Sequence, residues 1–405
     1  MNPIQSKRIL LGVTGSVAAY KAVDLASKLT QAGAEVDVLL TEAAVRFVTP
    51  ISFQSVTGRP AFTDTDLWGA EAHVLHVNLG RPADLLLIAP ITANTIAKLA
   101  HGLADNLLTL TALSARCPLM IAPAMDGGMF ASPANQANLE TLVARGAIVA
   151  GPEEGHLASG LSAKGRMTEP ADILERVRHL LSRGGPLRSR KVVVTAGGTQ
   201  EPIDPVRVIT NRSSGKQGFA LAQAALDAGA DVALITGPTT LEAPFGARRI
   251  DVRTAAEMGA AVRTEVAGAD ALIMAAAVAD FRPSQAASQK IKKDTLPEAI
   301  HLEPTEDILT DVAAAKTKSR HPLVTIGFSA ETEDLEKNAQ KKLSAKRLDL
   351  IVANVVGAPA SGFESDTNRV TLISADGSAQ ALPLMEKAAV AEAVIARLID
   401  LLGIK

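Results

Sequence analysis

Lys191 to Gly218 reads KVVVTAGGTQEPIDPVRVITNRSSGKQG and opens a second domain in the middle of the chain. Val192, Val193 and Val194 form a short β-branched run, the composition of a buried strand. Gly197 and Gly198 break the run, a polar loop with Pro202 and Pro205 follows, and a helical pattern starts near Ser214. Asn211, Arg212, Ser213, Ser214, Gly215 and Lys216 crowd the mouth of that helix. A helix N-terminus carries unpaired N–H groups and partial positive charge, which suit phosphate. Glycines there let a ligand approach the backbone closely. An ordinary helix cap with a solvated lysine accounts for the same residues equally well.

The first half carries the same alternation. Ile9 to Val13 reads as a strand, Gly12 to Ser16 as a turn, and Val17 to Gln31 as an amphipathic helix stopped by Gly33. Further strands are expected at Val36–Leu40, Leu85–Ala89, Leu119–Ala122 and Ile148–Ala150, with a helix at Asn135–Ala144. Strands separated by helices predict a parallel sheet covered on both faces, with ligands outside the carboxyl ends of the strands. Thr14, Thr41, Pro90 and Pro123 mark those ends. Gly151–Glu169 has no clear period and is expected to be a long loop acting as a lid. Pro170 starts a helix to about Leu181, and Arg183–Arg190 (RGGPLRSR) reads as the linker.

The second half repeats the wording of the first: QAGAEVDVLLT in one, DAGADVALITG in the other. Two copies of one nucleotide-binding unit, or merely similar packing needs, produce that likeness. Later strands are expected at Ala271–Ala275, Leu323–Phe328 and Leu350–Ala353. A hairpin is expected around Asp376-Gly377, beginning with Val370–Ile373, and a closing helix at Leu384–Leu402.

With 405 residues, 47% of them hydrophobic, the chain can build two or three full cores. A net charge of -2 gives no bulk attraction to nucleic acid, and 3% aromatics leave few stacking platforms for single strands. Cys117 is the only cysteine, so no intrachain disulfide forms, which suits a reducing cytoplasm. Charges or prolines interrupt every apolar run well before membrane-spanning length, and the N-terminus lacks a signal-peptide layout.

Gly12-x-x-Gly15 is not a dinucleotide fingerprint, and Leu39-Leu40-Thr41 ends the second strand without a ribose-binding acid. A mononucleotide such as a flavin phosphate fits a single glycine turn with Thr14 and Ser16 better. In the second half, Asp280 follows AAAVA, and Lys290, Lys292 and Lys293 form a KIKK loop. A cationic loop over a helix N-terminus suits a triphosphate, whose leaving pyrophosphate needs neutralising. A solvated surface loop is the alternative.

Several motifs then agree in order. The chain resembles the bifunctional phosphopantothenoylcysteine decarboxylase/phosphopantothenate–cysteine ligase family of coenzyme A biosynthesis, over nearly its whole length. Pro90–Thr95 (PITANT) is similar to the family's PASANT motif, and His76 to its active-site histidine. Pro123–Phe130 (PAMDGGMF) is similar to its substrate-gripping PxMNxxMW, and residues 151–169 to its substrate flap. TQEPIDPVRVITNRSSGK, AAAVADF, KIKK and GFSAET carry the resemblance through the second half.

The resemblance implies two Rossmann-like three-layer domains. One is a flavodoxin-like FMN-dependent decarboxylase over 1–185, the other a CTP-dependent ligase over 191–405, with 183–190 between them. It implies that the ligase uses CTP and Mg2+ or Mn2+ to make an acyl-cytidylate of 4'-phosphopantothenate, from which the cysteine amine displaces CMP. Asn211 would hold that intermediate and Lys290 the triphosphate. Met274, Ala275, Ala276, Asp280, Glu306, Asp307, Ile308, Leu309, Phe328, Lys342 and Lys346 would bind CTP, and Arg207 the substrate. In the decarboxylase, Gly15, Ser16 and Thr41 would bind FMN, His76 would assist thiol oxidation, and Asn94, Met125 and Asp126 would hold substrate. The sequence does not identify the ligands of that metal. The family's assembly implies flavin-domain trimers and ligase-domain dimers, hence a dodecamer.

Two positions depart from the family pattern: Asp126 stands where Asn usually binds the substrate carboxylate, and Ser159 where many members have a Cys proton donor. They leave two alternatives beside the full bifunctional enzyme. One is a ligase with an altered or structural flavin half; the other is a flavin-fold regulatory binding protein.

Overall fold

The computed structural model describes residues 1–68, 74–292, 299–318, 323–331, 334–355 and 365–404. Lys293 and Thr332, from the KIKK and GFSAET motifs, lie outside the described residues. The chain divides into two compact units, Asn2–Leu181 and Ser182–Lys405, the latter with Met1.

The first unit is a parallel sheet of six strands: Arg8–Val13, Glu35–Leu40, Ala61–Thr63, Leu85–Ile91, Leu119–Pro123 and Ile148–Val149. Numbered along the chain, their spatial order is 3-2-1-4-5-6. This is the Rossmann order of the doubly wound sheets, in keeping with the expected Rossmann-like three-layer domain. Side chains of the first strand alternate between two cores. Ile9, Leu11 and Val13 face the core that holds the helix Ala19–Gln31, whereas Leu10 faces the core that holds the helix Ala93–His101. Burial on both faces explains the near-continuous apolar runs.

Residues 151–169 are not an irregular loop. Glu153–His156 and Ser162–Arg166 pair as an antiparallel ribbon, with His156 opposite Ser162 and the tip between them.

The second unit repeats the plan. Lys191–Ala196, Asp231–Thr236, Arg248–Asp251, Ala271–Met274, Val324–Glu331 and Leu350–Val355 are parallel, again in the order 3-2-1-4-5-6. Val370–Ser374 and Ala379–Ala381 extend the sheet antiparallel, as the hairpin expectation required. Val192, Val194 and Ala196 face a core shared with the helices Lys216–Asp227 and Lys387–Leu401. Val193 faces the opposite core, with the helices Ala255–Glu265 and Ile308–Lys318.

The helix expected near Ser214 begins at Lys216. Gly215 sits at φ 78 as its N-cap, a left-handed conformation that favours glycine. Gly218 lets that helix lie directly on the first strand. A Cβ there would meet the Ala196 Cβ at 2.5 Å and the Thr195 carbonyl oxygen at 2.9 Å. Gly218→Ala should therefore destabilise the protein by about 1–3 kcal/mol through forced separation of helix and strand. Urea denaturation of the full chain measures this, and an unchanged midpoint would contradict the close packing.

Candidate functional site

In both units a cavity lies at the carboxyl end of the sheet, beside the first and fourth strands. Connections there leave in opposite directions and open a crevice.

In the first unit the crevice is tied by Thr14, only 1% exposed. Its hydroxyl donates to the Pro90 carbonyl at 2.9 Å and accepts from the Thr92 N–H at 3.0 Å. The glycine turn and the PITANT segment thus form one floor. Above it lies a cavity of about 390 Å³. Gly15, Ser16, Thr92, Met125, Asp126 and Ser159 contribute to its lining. Asp126 caps the short helix Gly127–Ala131 by accepting from the Gly128 N–H at 2.9 Å. Its other oxygen accepts from the Ser159 hydroxyl at 2.8 Å. The two residues that depart from the family pattern therefore meet. The Ser159 hydroxyl, followed by the Gly128 N–H, holds the Asp126 carboxyl below its ordinary pKa.

The other expected residues of this half stand apart from the cavity lining. Thr41 is buried and caps the helix Glu42–Val45, accepting from the Ala44 N–H at 3.3 Å. Asn94 is exposed on the first turn of the helix Ala93–His101. His76 lies in the helix Leu75–Gly80, where its carbonyl accepts from the Ser114 hydroxyl at 2.8 Å. Its Nδ1 is buried with no hydrogen-bond partner among the described residues. Sequence reasoning missed Tyr20 and Lys21 in the lining. Lys21 donates to the Met167 carbonyl at 3.3 Å and Glu169 at 2.8 Å, joining the first helix to the foot of the ribbon. A lysine one turn inside an amphipathic helix gives no signal of this.

In the second unit the cavity has a volume of about 520 Å³. Its floor is the AAAVA segment stitched to the first glycine turn. The Thr195 hydroxyl accepts from the Ala276 N–H at 3.1 Å, and the Thr199 hydroxyl from the Ala279 N–H at 2.9 Å. Met274, Ala275, Ala276, Asp280, Glu306, Asp307, Ile308, Leu309, Phe328, Lys342 and Lys346 all line this one cavity, together with Asn211. Asn211 donates to the Val278 carbonyl at 3.0 Å rather than capping the helix, whose N-cap is Gly215.

Lys342 donates to the Ser329 hydroxyl at 3.0 Å, and Lys346 pairs with Asp307 at 3.1 Å. Burial works to raise the Asp307 pKa, but the Lys346 ammonium and Thr310 outweigh it and hold the carboxyl low. Lys290 and Arg207 do not line the cavity. Both belong to an arrangement around Asp204, which is buried and accepts from the N–H groups of Val206 and Arg207 at 2.8 Å and of Ile291 at 3.2 Å. The Arg207 guanidinium pairs with Asp204 at 2.8 Å and donates to the Ile291 carbonyl at 3.3 Å. The exposed Lys290 is thus carried on a pinned loop. Asn354, Asn368 and Lys387 line the cavity without having been anticipated.

Comparison with known proteins places both halves. The flavoprotein family matches residues 2–182. The family described as DNA/pantothenate metabolism flavoprotein C-terminal domain matches residues 187–402. The coenzyme A biosynthesis bifunctional protein CoaBC of Bacillus subtilis (strain 168) is 44% identical over 387 residues, 95% of this chain and 94% of that one. Its counterpart in Vibrio cholerae is 45% identical over 401 residues, 98% of each chain. The chain belongs to the bifunctional coenzyme A biosynthesis protein family. As a member it is a bifunctional enzyme, with a flavoprotein decarboxylase domain and a ligase domain. A crystal structure of the C-terminal domain of another CoaBC protein is 37% identical, covering 54% of this chain and 98% of that one, with a TM-score of 0.46. Among the described residues no helix is long and apolar enough to cross a membrane.

If the Ser159 hydroxyl holds Asp126 ionised, Ser159→Ala should move the Asp126 pKa upward towards the ordinary carboxylate range. In the unaltered chain the contact should persist above that range and be lost as pH falls through the depressed pKa. Carboxyl-carbon NMR titration reads this directly. An Asp126 titration identical in both proteins would contradict the pairing.

Proposed function

We propose that residues 191–405 ligate cysteine to 4'-phosphopantothenate with CTP, and that residues 1–185 decarboxylate the product with FMN to give 4'-phosphopantetheine. Residues 183–190 join the two. One observation carries the ligase reading: positions scattered from Asn211 to Lys346 line a single cavity at the sheet's carboxyl edge. The substrate carboxylate attacks the α-phosphorus of CTP, pyrophosphate leaves, and an acyl-cytidylate forms. The cysteine amine then attacks the acyl carbon and CMP leaves. Asn211 holds the intermediate, Asp280 accepts from the cytosine amino group, and Phe328, Lys342 and Lys346 hold the nucleotide. Lys290 meets the triphosphate from its loop, and Arg207 serves the substrate. Among the described residues no group of three or more His, Cys, Asp or Glu is placed to hold a metal. Mg2+ or Mn2+ enters on the triphosphate, as small hard cations commonly do.

For the first half, the polar floor of Gly15, Ser16 and Thr92 at the start of a helix suits the phosphate of FMN. The apolar wall of Met125, Met129, Leu157 and Met167 suits its ring. FMN, when bound, supplies the two-electron oxidation of the cysteinyl thiol that allows CO₂ to depart. Thr41 lies behind the glycine turn, and Met125 and Asp126 flank the substrate. His76 and Asn94 lie off the lining within one chain; in the assembly of flavin-domain trimers and ligase-domain dimers a neighbouring copy would complete the site. We place the enzyme in the cytoplasm.

The Asp126–Ser159 pair supports a second reading, in which the ligase works beside an altered flavin half. An ionised Asp126 repels a substrate carboxylate, and a serine hydroxyl is a far weaker acid than a thiol. The test supplies the full chain with CTP, 4'-phosphopantothenate and cysteine. CMP and CO₂ in equal amounts, with phosphopantetheine at full mass, are expected. CMP without CO₂ from an FMN-loaded protein would establish the second reading, and no CMP would overturn the ligase.

A further inference from the structure

Gln200–Pro202 and Val208–Thr210 pair antiparallel, and residues 203–207 turn between them. This hairpin is rooted beside the second cavity. The Thr210 hydroxyl donates to the Thr199 carbonyl at 2.7 Å, and the buried Glu201 accepts from the Ala255 N–H at 2.7 Å. Asn211, which lines the cavity, follows the second strand directly.

At the turn the Asp204 side chain is 0% exposed, and its two oxygens have different partners. Oδ1 accepts from the N–H groups of Val206 and Arg207, both at 2.8 Å. That is the ordinary work of an Asp or Asn in a turn. Oδ2 reaches further. It accepts from the Arg207 guanidinium at 2.8 Å and from the N–H of Ile291, 87 residues on, at 3.2 Å. Two more bonds fasten the same segment. The Ala287 N–H donates to the Ile203 carbonyl at 2.9 Å, and the Arg207 guanidinium to the Ile291 carbonyl at 3.3 Å. Lys290 sits between these fastenings, next to Ile291. The turn itself uses only Oδ1, so burying a full carboxylate there costs free energy that turn formation does not require. A cation on a held backbone loses less freedom on meeting a ligand than one on a free loop.

We propose that Asp204 is a positioning residue of the ligase, whose second oxygen holds Lys290 and Arg207 in one frame with Asn211. It acts through those side chains and contacts no substrate itself. The inference rests on the ligase reading for what Lys290 and Arg207 meet; the pinning of the loop does not depend on it. Preorganised supporting contacts of this kind set how well a site is aimed.

Asp204→Asn separates the two oxygens, because an amide keeps one acceptor for the turn and sets an NH₂ against donors. Hydrogen exchange of the full chain, read by mass spectrometry on the peptide that contains Ile291, should speed roughly tenfold or more at that amide. Unchanged exchange there overturns the pinning. Titration calorimetry with CTP then reads the coupling. Asp204→Asn and Lys290→Gln should each weaken CTP roughly tenfold, and the double variant should bind no worse than the weaker single one. A general loss of stability would add to the Lys290→Gln effect instead of merging with it. Additive losses, or unaltered CTP affinity in either single variant, therefore overturn the proposal. Asp204→Ser, whose hydroxyl also caps a turn, should repeat the Asn result if the second oxygen matters, and native exchange at Ile291 in that variant would contradict it. CMP release by the unaltered chain tests the ligase separately. Merged losses of CTP affinity in a chain that releases no CMP would keep Asp204 as the positioning residue of Lys290 and reject the ligase reading.

Discussion

A threonine hydroxyl bridges the split in each sheet, and both sites are built around that bridge. Thr14 in the first unit and Thr195 and Thr199 in the second accept backbone N–H groups from beyond the fourth strand. The first and fourth strands send their connections to opposite faces, so no helix fills the gap between them. The buried hydroxyls satisfy N–H groups that would otherwise be unpaired at that gap. They also hold two loops at fixed height, leaving a cavity with a polar floor. What differs between the units is the furniture above the floor. Methionines and a ribbon tip close the first cavity, whereas lysines and carboxylates from both helical layers surround the second.

Much of this was legible in the sequence because a parallel sheet buried on both faces writes itself as apolar runs. Val192–Val194 and Leu85–Ala89 needed no alternation to be recognised. The helix begins two residues beyond Ser214 for a local reason. Ser213 and Ser214 turn their hydroxyls to the N–H groups of Gly215 and Lys216, and Gly215 takes a left-handed conformation before the helix begins. The ribbon at Glu153–Arg166 does alternate between an exposed and a half-buried face, but its inward positions are Glu153, Gly155, Ala163 and Gly165. Small and charged residues there leave no period-two hydrophobicity to read.

The sites divide in the same way. The strand-end rule points to Thr14 and the glycine turns, whereas the cavity positions from Asp280 to Lys346 are legible only through the family resemblance. Lys21 and Lys387 were legible by neither route, since a lysine at the edge of an amphipathic helix reads as solvated. Only the fold reveals that one of them faces a ribbon and the other a buried cavity wall. The Asp126–Ser159 contact is of the same kind. Each residue was visible as a departure from the family pattern, but sequence could not show that one departure answers the other. Where the resemblance implies a neutral amide and a thiol, a carboxylate and a hydroxyl stand bonded to each other.

The central claim is that the crevice beside Thr195 and Thr199 is where the nucleotide binds and the ligase acts. A crystal structure of the full chain with CTP tests it most directly. The account predicts the nucleotide lying across Met274–Ala276, with its base near Asp280 and Phe328 and its phosphates within the same cavity. A fully occupied CTP bound anywhere else, with that cavity filled only by solvent, would contradict it.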